Sequence, residues 1–112
     1  MSIFGVRIKP ETLRSIDSAT FTGSYQNLGT ALTQPAALVK IVNNSTSLIT
    51  ISWDGINDHD VAPANSFALY DIETNSGVAE RGLSVPVGTL FRVKGSAGTG
   101  SVYLVVLYIV ES

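Results

Sequence analysis

Apolar and polar positions alternate along this chain in short stretches, and clusters of Gly, Pro, Asn and Asp separate one stretch from the next. In Leu48–Trp53, Ile49, Ile51 and Trp53 fall on one side of an extended chain, and Thr50 and Ser52 on the other. In Leu90–Lys94, Phe91 and Val93 oppose Arg92 and Lys94. This period of two lets a strand bury one face and wet the other, as antiparallel sheets do. The same reading predicts strands at Ile3–Ile8, Arg14–Phe21, Ser24–Leu28, Leu38–Val42, Ser66–Ile72 and Val102–Val110. Turn residues mark the breaks, among them Gly23, Gly29, Asp54-Gly55, Asn75-Ser76-Gly77 and Pro86-Val87-Gly88. Leu38–Val42 and Leu48–Trp53, joined by Asn43–Ser47, are expected to form a hairpin, and Gly95–Gly100 to be a hairpin loop before the last strand. No stretch keeps the three-four spacing of a helix. Thr30–Val39 comes nearest, and Pro35 limits it to a single turn. The expected fold is all-β: an antiparallel, jelly-roll-like sandwich of about eight strands, formed by residues 1–112 as one domain.

The final strand breaks the alternation. Val102, Leu104, Val106, Tyr108 and Val110 occupy one face and Tyr103, Val105, Leu107 and Ile109 the other, so both sides are apolar. One side can enter the core, and the other needs cover from a crossing loop or another subunit. Val102, Tyr103, Val105, Leu107 and Ile109 are therefore the candidate assembly interface.

Composition strengthens that expectation. Charged residues make up 14% of the chain, against about 25% in typical soluble domains. Ser, Thr, Asn and Gly replace them, which suits a surface partly covered by neighbours. A net charge of −2 with no basic cluster argues against nucleic acid as a partner. The longest apolar run, Val102–Val110, is too short to cross a bilayer as a helix, and the first residues lack the pattern of a signal segment, so neither membrane insertion nor a targeting segment is expected. With no cysteine there is neither a disulfide nor a thiolate metal site.

Candidate chemistry is sparse. The single histidine, His59, lies between Asp58 and Asp60, and no serine occupies a recognised nucleophile turn, so no catalysis is expected. Asp54-Gly55-Ile56-Asn57-Asp58-His59-Asp60 is rich in oxygen ligands, but its spacing fits turn chemistry better than a calcium loop. No cofactor and no bound metal are expected. In Lys94–Gly100 the lysine precedes the glycines and a strand follows, the reverse of a phosphate loop. Asn43-Asn44-Ser45-Thr46 holds two overlapping N-x-[ST] sequons, read as an ordinary turn. Trp53 with the Asp54–Asp60 loop could form a saccharide platform, although the parity of Trp53 with Ile49 and Ile51 favours a core position.

Three stretches resemble small β-sandwich virion proteins of tailed bacteriophages: Thr20–Gly29, Ile49–Gly55 and Lys94–Tyr103. The resemblance implies a non-enzymatic component of a virion, a head decoration or cement, neck or tail protein. It would be present in multiple copies as a homo-oligomer, its partners being other virion proteins and copies of itself. The alternative expectation is a carbohydrate-binding module built on Trp53 and the Asp54–Asp60 loop.

Overall fold

The computed structural model describes residues 6–71 and 85–111. Nine strands lie within them: β1 (Val6–Pro10), β2 (Arg14–Asp17), β3 (Gln26–Asn27), β4 (Ala36–Ser45), β5 (Ile49–Ser52), β6 (Asp60–Ala62), β7 (Ser66–Asp71), β8 (Arg92–Lys94) and β9 (Gly100–Glu111). A 3-10 turn at Ser18–Thr20 follows β2, and Asp17 caps it by accepting the Ala19 N–H. Each predicted strand has a counterpart, with ends that differ by a few residues. The short β6 escaped prediction, because three residues are too few to show a period. Ile3–Gly5, Ile72 and the expected turn at Asn75–Gly77 lie outside the described residues.

The strands form two antiparallel sheets. The larger has the order β1-β9-β4-β7, with β2 pairing on β9 beyond β1, and the smaller has the order β3-β8-β5-β6. Between them lies one core. Val39 and Ile41 of β4 and Val102, Leu104 and Val106 of β9 meet Ile49 and Ile51 of β5 and Val93 of β8, with Phe91 and Leu28 beside them. All are 0% exposed except Val106 at 1%. Burying such a side chain stabilises by roughly 1.5–3 kcal/mol, so this alternating set is the main source of cohesion. Phe91 and Val93 point inward with Arg92 and Lys94 outward, as their period requires. Ser52, expected on the wet side of β5, is instead fully buried. The loop after it folds back, and its hydroxyl accepts the backbone N–H of Gly55 at 2.7 Å.

Both expected hairpins are corrected. β4 belongs to the large sheet and β5 to the small one, so Thr46–Leu48 carries the chain between layers rather than between paired neighbours. The segment from Gly95 to Thr99 likewise runs from β8 in the small sheet to β9 in the large one. The two crossings lie against each other. Thr46 N–H donates to Thr99 O at 3.0 Å, Thr99 N–H donates to Thr46 Oγ1 at 3.0 Å, and Ser47 Oγ donates to Ser96 O at 2.7 Å. Gly100 sits there with φ +93°, where a Cβ would collide with Asn44 O. Only glycine fits that turn.

Candidate assembly surface

The register of the large sheet specifies its outer face. Direct partners in antiparallel strands share a face, which yields the rows Ser15–Tyr103–Val42–Phe67, Val105–Lys40–Leu69 and Pro10–Leu107–Leu38–Asp71. Ile8 continues the surface at one end. Ile8 is 64% exposed, Phe67 59% and Leu69 49%, while Tyr103, Val105, Leu107, Leu38 and Val42 are half-buried among their neighbours. The one charge in the middle is Lys40, whose Nζ lies 5.4 Å from the centroid of the Phe67 ring. That cation–π contact draws the ammonium to one side and leaves its apolar stem on the sheet.

Of the interface residues expected from sequence, Tyr103, Val105 and Leu107 lie together on this outer face. Val102 does not. It is fully buried in the core, because it has the opposite parity on β9 and faces the small sheet. The Ile109 backbone pairs with Ile8, and its side chain lies outside the described residues. Ile8, Leu38, Val42, Phe67 and Leu69 were missed. Phe67 and Leu69 alternate with Ala68 and Tyr70, so β7 is apolar on both sides and its parity alone could not say which side was outward.

The opposite side of the molecule is different in kind. The outer face of the small sheet carries Thr50, Arg92 and Lys94, with Tyr25 and Asn27 alongside, and one exposed apolar side chain, Val61, beside Thr50. Arg92 Nε donates to Asn27 Oδ1 at 3.1 Å, and Lys94 Nζ lies 3.1 Å from Asp58 Oδ1 and 4.6 Å from the Tyr25 ring centroid. Tyr25 Oη also donates to Asp58. That bond and the ammonium hold the Asp58 carboxyl below its ordinary value. Partial burial, with Asp58 beside it, pushes the Tyr25 phenol up to about 12.

The oxygen-rich loop is folded on itself. Asp54 Oδ1 accepts the backbone N–H of Ile56 at 2.8 Å and of Asn57 at 2.9 Å, and Oδ2 accepts the Asn57 side-chain amide at 3.0 Å. These bonds depress the Asp54 pKa strongly. Asp60 points elsewhere, accepting the Tyr70 hydroxyl at 2.7 Å. Burial, with the Asp60 charge added, raises the Tyr70 pKa. His59 Nδ1 accepts the Trp53 backbone N–H at 3.0 Å. Among the described residues, no three His, Cys, Asp or Glu side chains converge on one point. Trp53 stands edge-on between Tyr70 and Phe91, with ring centroids 5.2 and 5.0 Å away. Its ring is half-buried against the core rather than displayed as a flat platform.

A depression of about 540 Å³ lies beside the segment between β1 and β2 and is lined by Glu11, Arg14, Thr30 and Tyr108 among others. Its polar groups are occupied. Arg14 Nη2 donates to Glu11 Oε1 at 2.7 Å and to Ala31 O at 3.0 Å, and Nε donates to Thr30 O at 2.8 Å. Glu11 also accepts the backbone N–H of Gln34 at 3.0 Å. Burial works to raise the Glu11 pKa, and the bonds from Arg14, Thr33 and Gln34 outweigh it, leaving the pKa below 4.5. This ion pair clasps residues 30–34 to the start of β2.

No protein-family model matches the chain, and no curated protein matches its sequence.

Proposed function

We propose that this chain is a non-enzymatic structural subunit that assembles into a larger particle, a bacteriophage virion component of the capsid-decoration, neck or tail kind, with a jelly-roll-like sandwich as its body. The observation that supports assembly most directly is the contrast between the two outer faces. One is laced with polar pairs; the other is apolar across its middle, where the Lys40 ammonium is drawn to one side, with Ser15 and Asp71 at its margins. Monomeric proteins rarely expose apolar patches beyond a few hundred Å². The twelve positions of this face, at about 4.8 Å between strands and about 6.8 Å between rows, cover about 400 Å². A standard interface buries about 800 Å² per partner, so this face is one contact of a subunit that uses more than one. The particle itself is suggested by the resemblance of Thr20–Gly29, Ile49–Gly55 and Lys94–Tyr103 to phage virion proteins, and capsid, portal or tail genes are expected beside the coding sequence. The saccharide reading has less behind it, since Trp53 is engaged by Tyr70 and Phe91.

Adjacent residues of β9 provide the test. Val105 lies on the outer face and Val106 in the core at 1% exposure. Val105→Asp is expected to leave the circular dichroism spectrum unchanged and to lower the assembled mass measured by light scattering. Val106→Asp buries an unpaired carboxylate and is expected to unfold the domain. An unchanged mass for Val105→Asp, or its unfolding, would remove the outer face from the assembly reading.

A further inference from the structure

We infer that the free edge of β7 is a second self-assembly site, at which two copies pair β7 with β7 across a two-fold axis and join their large sheets into one. This rests on the reading of the chain as an assembly subunit and names one of its partners, a second copy.

The free edge follows from the hydrogen-bond ladder. Glu11 N–H donates to Val106 O at 2.9 Å, so Val106 turns its peptide groups toward the β1–β2 side of β9. Alternation then turns Val105 toward β4, its partner Lys40 toward β9, and Val39 and Ile41 toward β7. Tyr70 and Ala68, opposite Val39 and Ile41, are bonded to β4. Phe67 and Leu69 therefore direct their N–H and C=O groups outward, and among the described residues no strand meets them.

The other sheet edges are guarded. β1 reads Val-Arg-Ile-Lys-Pro, with two basic residues and a proline. β2 has four residues, beginning with Arg14 and ending with Asp17, and β3 has two and β6 three, too short to template a partner. β7 has six residues, with no Pro, Gly, Lys or Arg among them. Exposed edges normally carry such blocking residues, and an unguarded edge with exposed apolar side chains invites another strand.

The sequence of β7 also complements itself. With Ala68 on the two-fold axis, Phe67 of each copy lies opposite Leu69 of the other. Those residues carry the outward peptide groups, so both pairs are hydrogen-bonded. Ser66 lies opposite Tyr70 on the inner face, and no like charges meet. The exposed pair of β7, Phe67 at 59% and Leu69 at 49%, becomes a cross-strand aromatic–aliphatic pair. The two outer faces become one surface of about twice the area, roughly 800 Å².

The experiment reads this edge separately from the face. In the Val105→Asp background, sedimentation velocity at high micromolar concentration is expected to show a dimer. Adding Leu69→Pro deletes only an outward N–H, which an edge strand tolerates, and is expected to give a folded monomer by circular dichroism. In the otherwise cysteine-free wild type, Ala68→Cys is expected to cross-link to its own counterpart under mild oxidation. A non-hydrogen-bonded antiparallel pair sets the Cα atoms about 4.5 Å apart, within disulfide reach. Ser66→Cys, opposite Tyr70 in this register, is expected to remain uncross-linked. A monomer in the Val105→Asp background, a dimer that survives Leu69→Pro, or equal cross-linking at positions 66 and 68 would each overturn the β7 site. The assembly reading itself is lost only if the wild type sediments as a monomer.

Discussion

The chemistry of single residues here is directed inward. Glu11 and Arg14 have side chains only 5% and 8% exposed, and between them they satisfy carbonyls and amides of residues 30–34. Gly29 makes the clasp possible: at φ +74° a Cβ would come within 2.5 Å of the Arg14 side chain. Removing one partner of a buried pair strands the other charge, a loss of about 3–5 kcal/mol. Glu11→Gln keeps some of the hydrogen bonds, so its loss should fall at the lower end, about 3 kcal/mol by urea denaturation. The pH dependence has a defined sign. The Glu11 pKa is depressed in the folded state, so its contribution is complete above 4.5 and is lost as pH falls through the folded value. Wild type is therefore expected to lose stability on acidification below 4.5, and Glu11→Gln to lose less over the same range. The Asp54 loop leads to a different expectation. Its carboxylate is satisfied by Ile56 and Asn57, so EDTA is expected to leave the melting temperature unchanged. A native-state cation at a hundredfold excess over Kd would add about 2.7 kcal/mol, and a chelator-induced drop of several degrees would reinstate a metal site.

At the scale of elements, the corner after β4 decides the topology. Asn43 is fully buried, and its side-chain nitrogen lies within 3.0 Å of the carbonyls of Ser47, Ala62 and Pro63, while Ser45 Oγ donates to its Oδ1 at 2.6 Å. Those carbonyls sit where the chain leaves one sheet for the other, and the amide replaces a ladder partner. The expected ordinary turn around Asn43 is thus an interior joint; of the two sequons, the one at Asn43 concerns a side chain with no access to solvent, while Asn44 of the other is exposed. Asn43→Ala would leave buried carbonyls unpaired at a loss of about 1–3 kcal/mol for each group. A fall in the denaturation midpoint of that order is expected, whereas Asn44→Ala, at an exposed neighbour, should be nearly neutral. β9 is the other decisive element. It lies between β4 on one side and β1 and β2 on the other, so it is central in its sheet. Its inner face builds the core, and its outer face is the middle of the apolar surface.

For the whole molecule, the two sheets divide the work. The small sheet has a mostly polar, charge-paired exterior, and the large sheet combines an exterior apolar across its middle with β7, which among the described residues is its edge strand. Far-UV circular dichroism is expected to show a β spectrum with negligible helix, since the only helical segment among the described residues is Ser18–Thr20. Apparent thermal stability is expected to rise with protein concentration, because subunits that associate only when folded stabilise the native state by mass action. A melting temperature independent of concentration would count against assembly through either surface.

Local periodicity in the chain was enough to establish the all-β class, the positions of eight strands and the inward set Ile49, Ile51, Phe91 and Val93, because alternation of two is a property of neighbours in sequence. It also exposed the double apolarity of Val102–Val110. It could not choose between Val105 and Val106, since parity becomes inward or outward only when a second sheet covers one side. Nor could it tell a hairpin from a crossing at Asn43–Ser47, where turn residues serve both and the bonds of Asn43 reach carbonyls nineteen and twenty residues away. The Glu11–Arg14 clasp and the edge position of β7 among the described residues were likewise decided only by tertiary pairing, because each depends on which strand lies beside which.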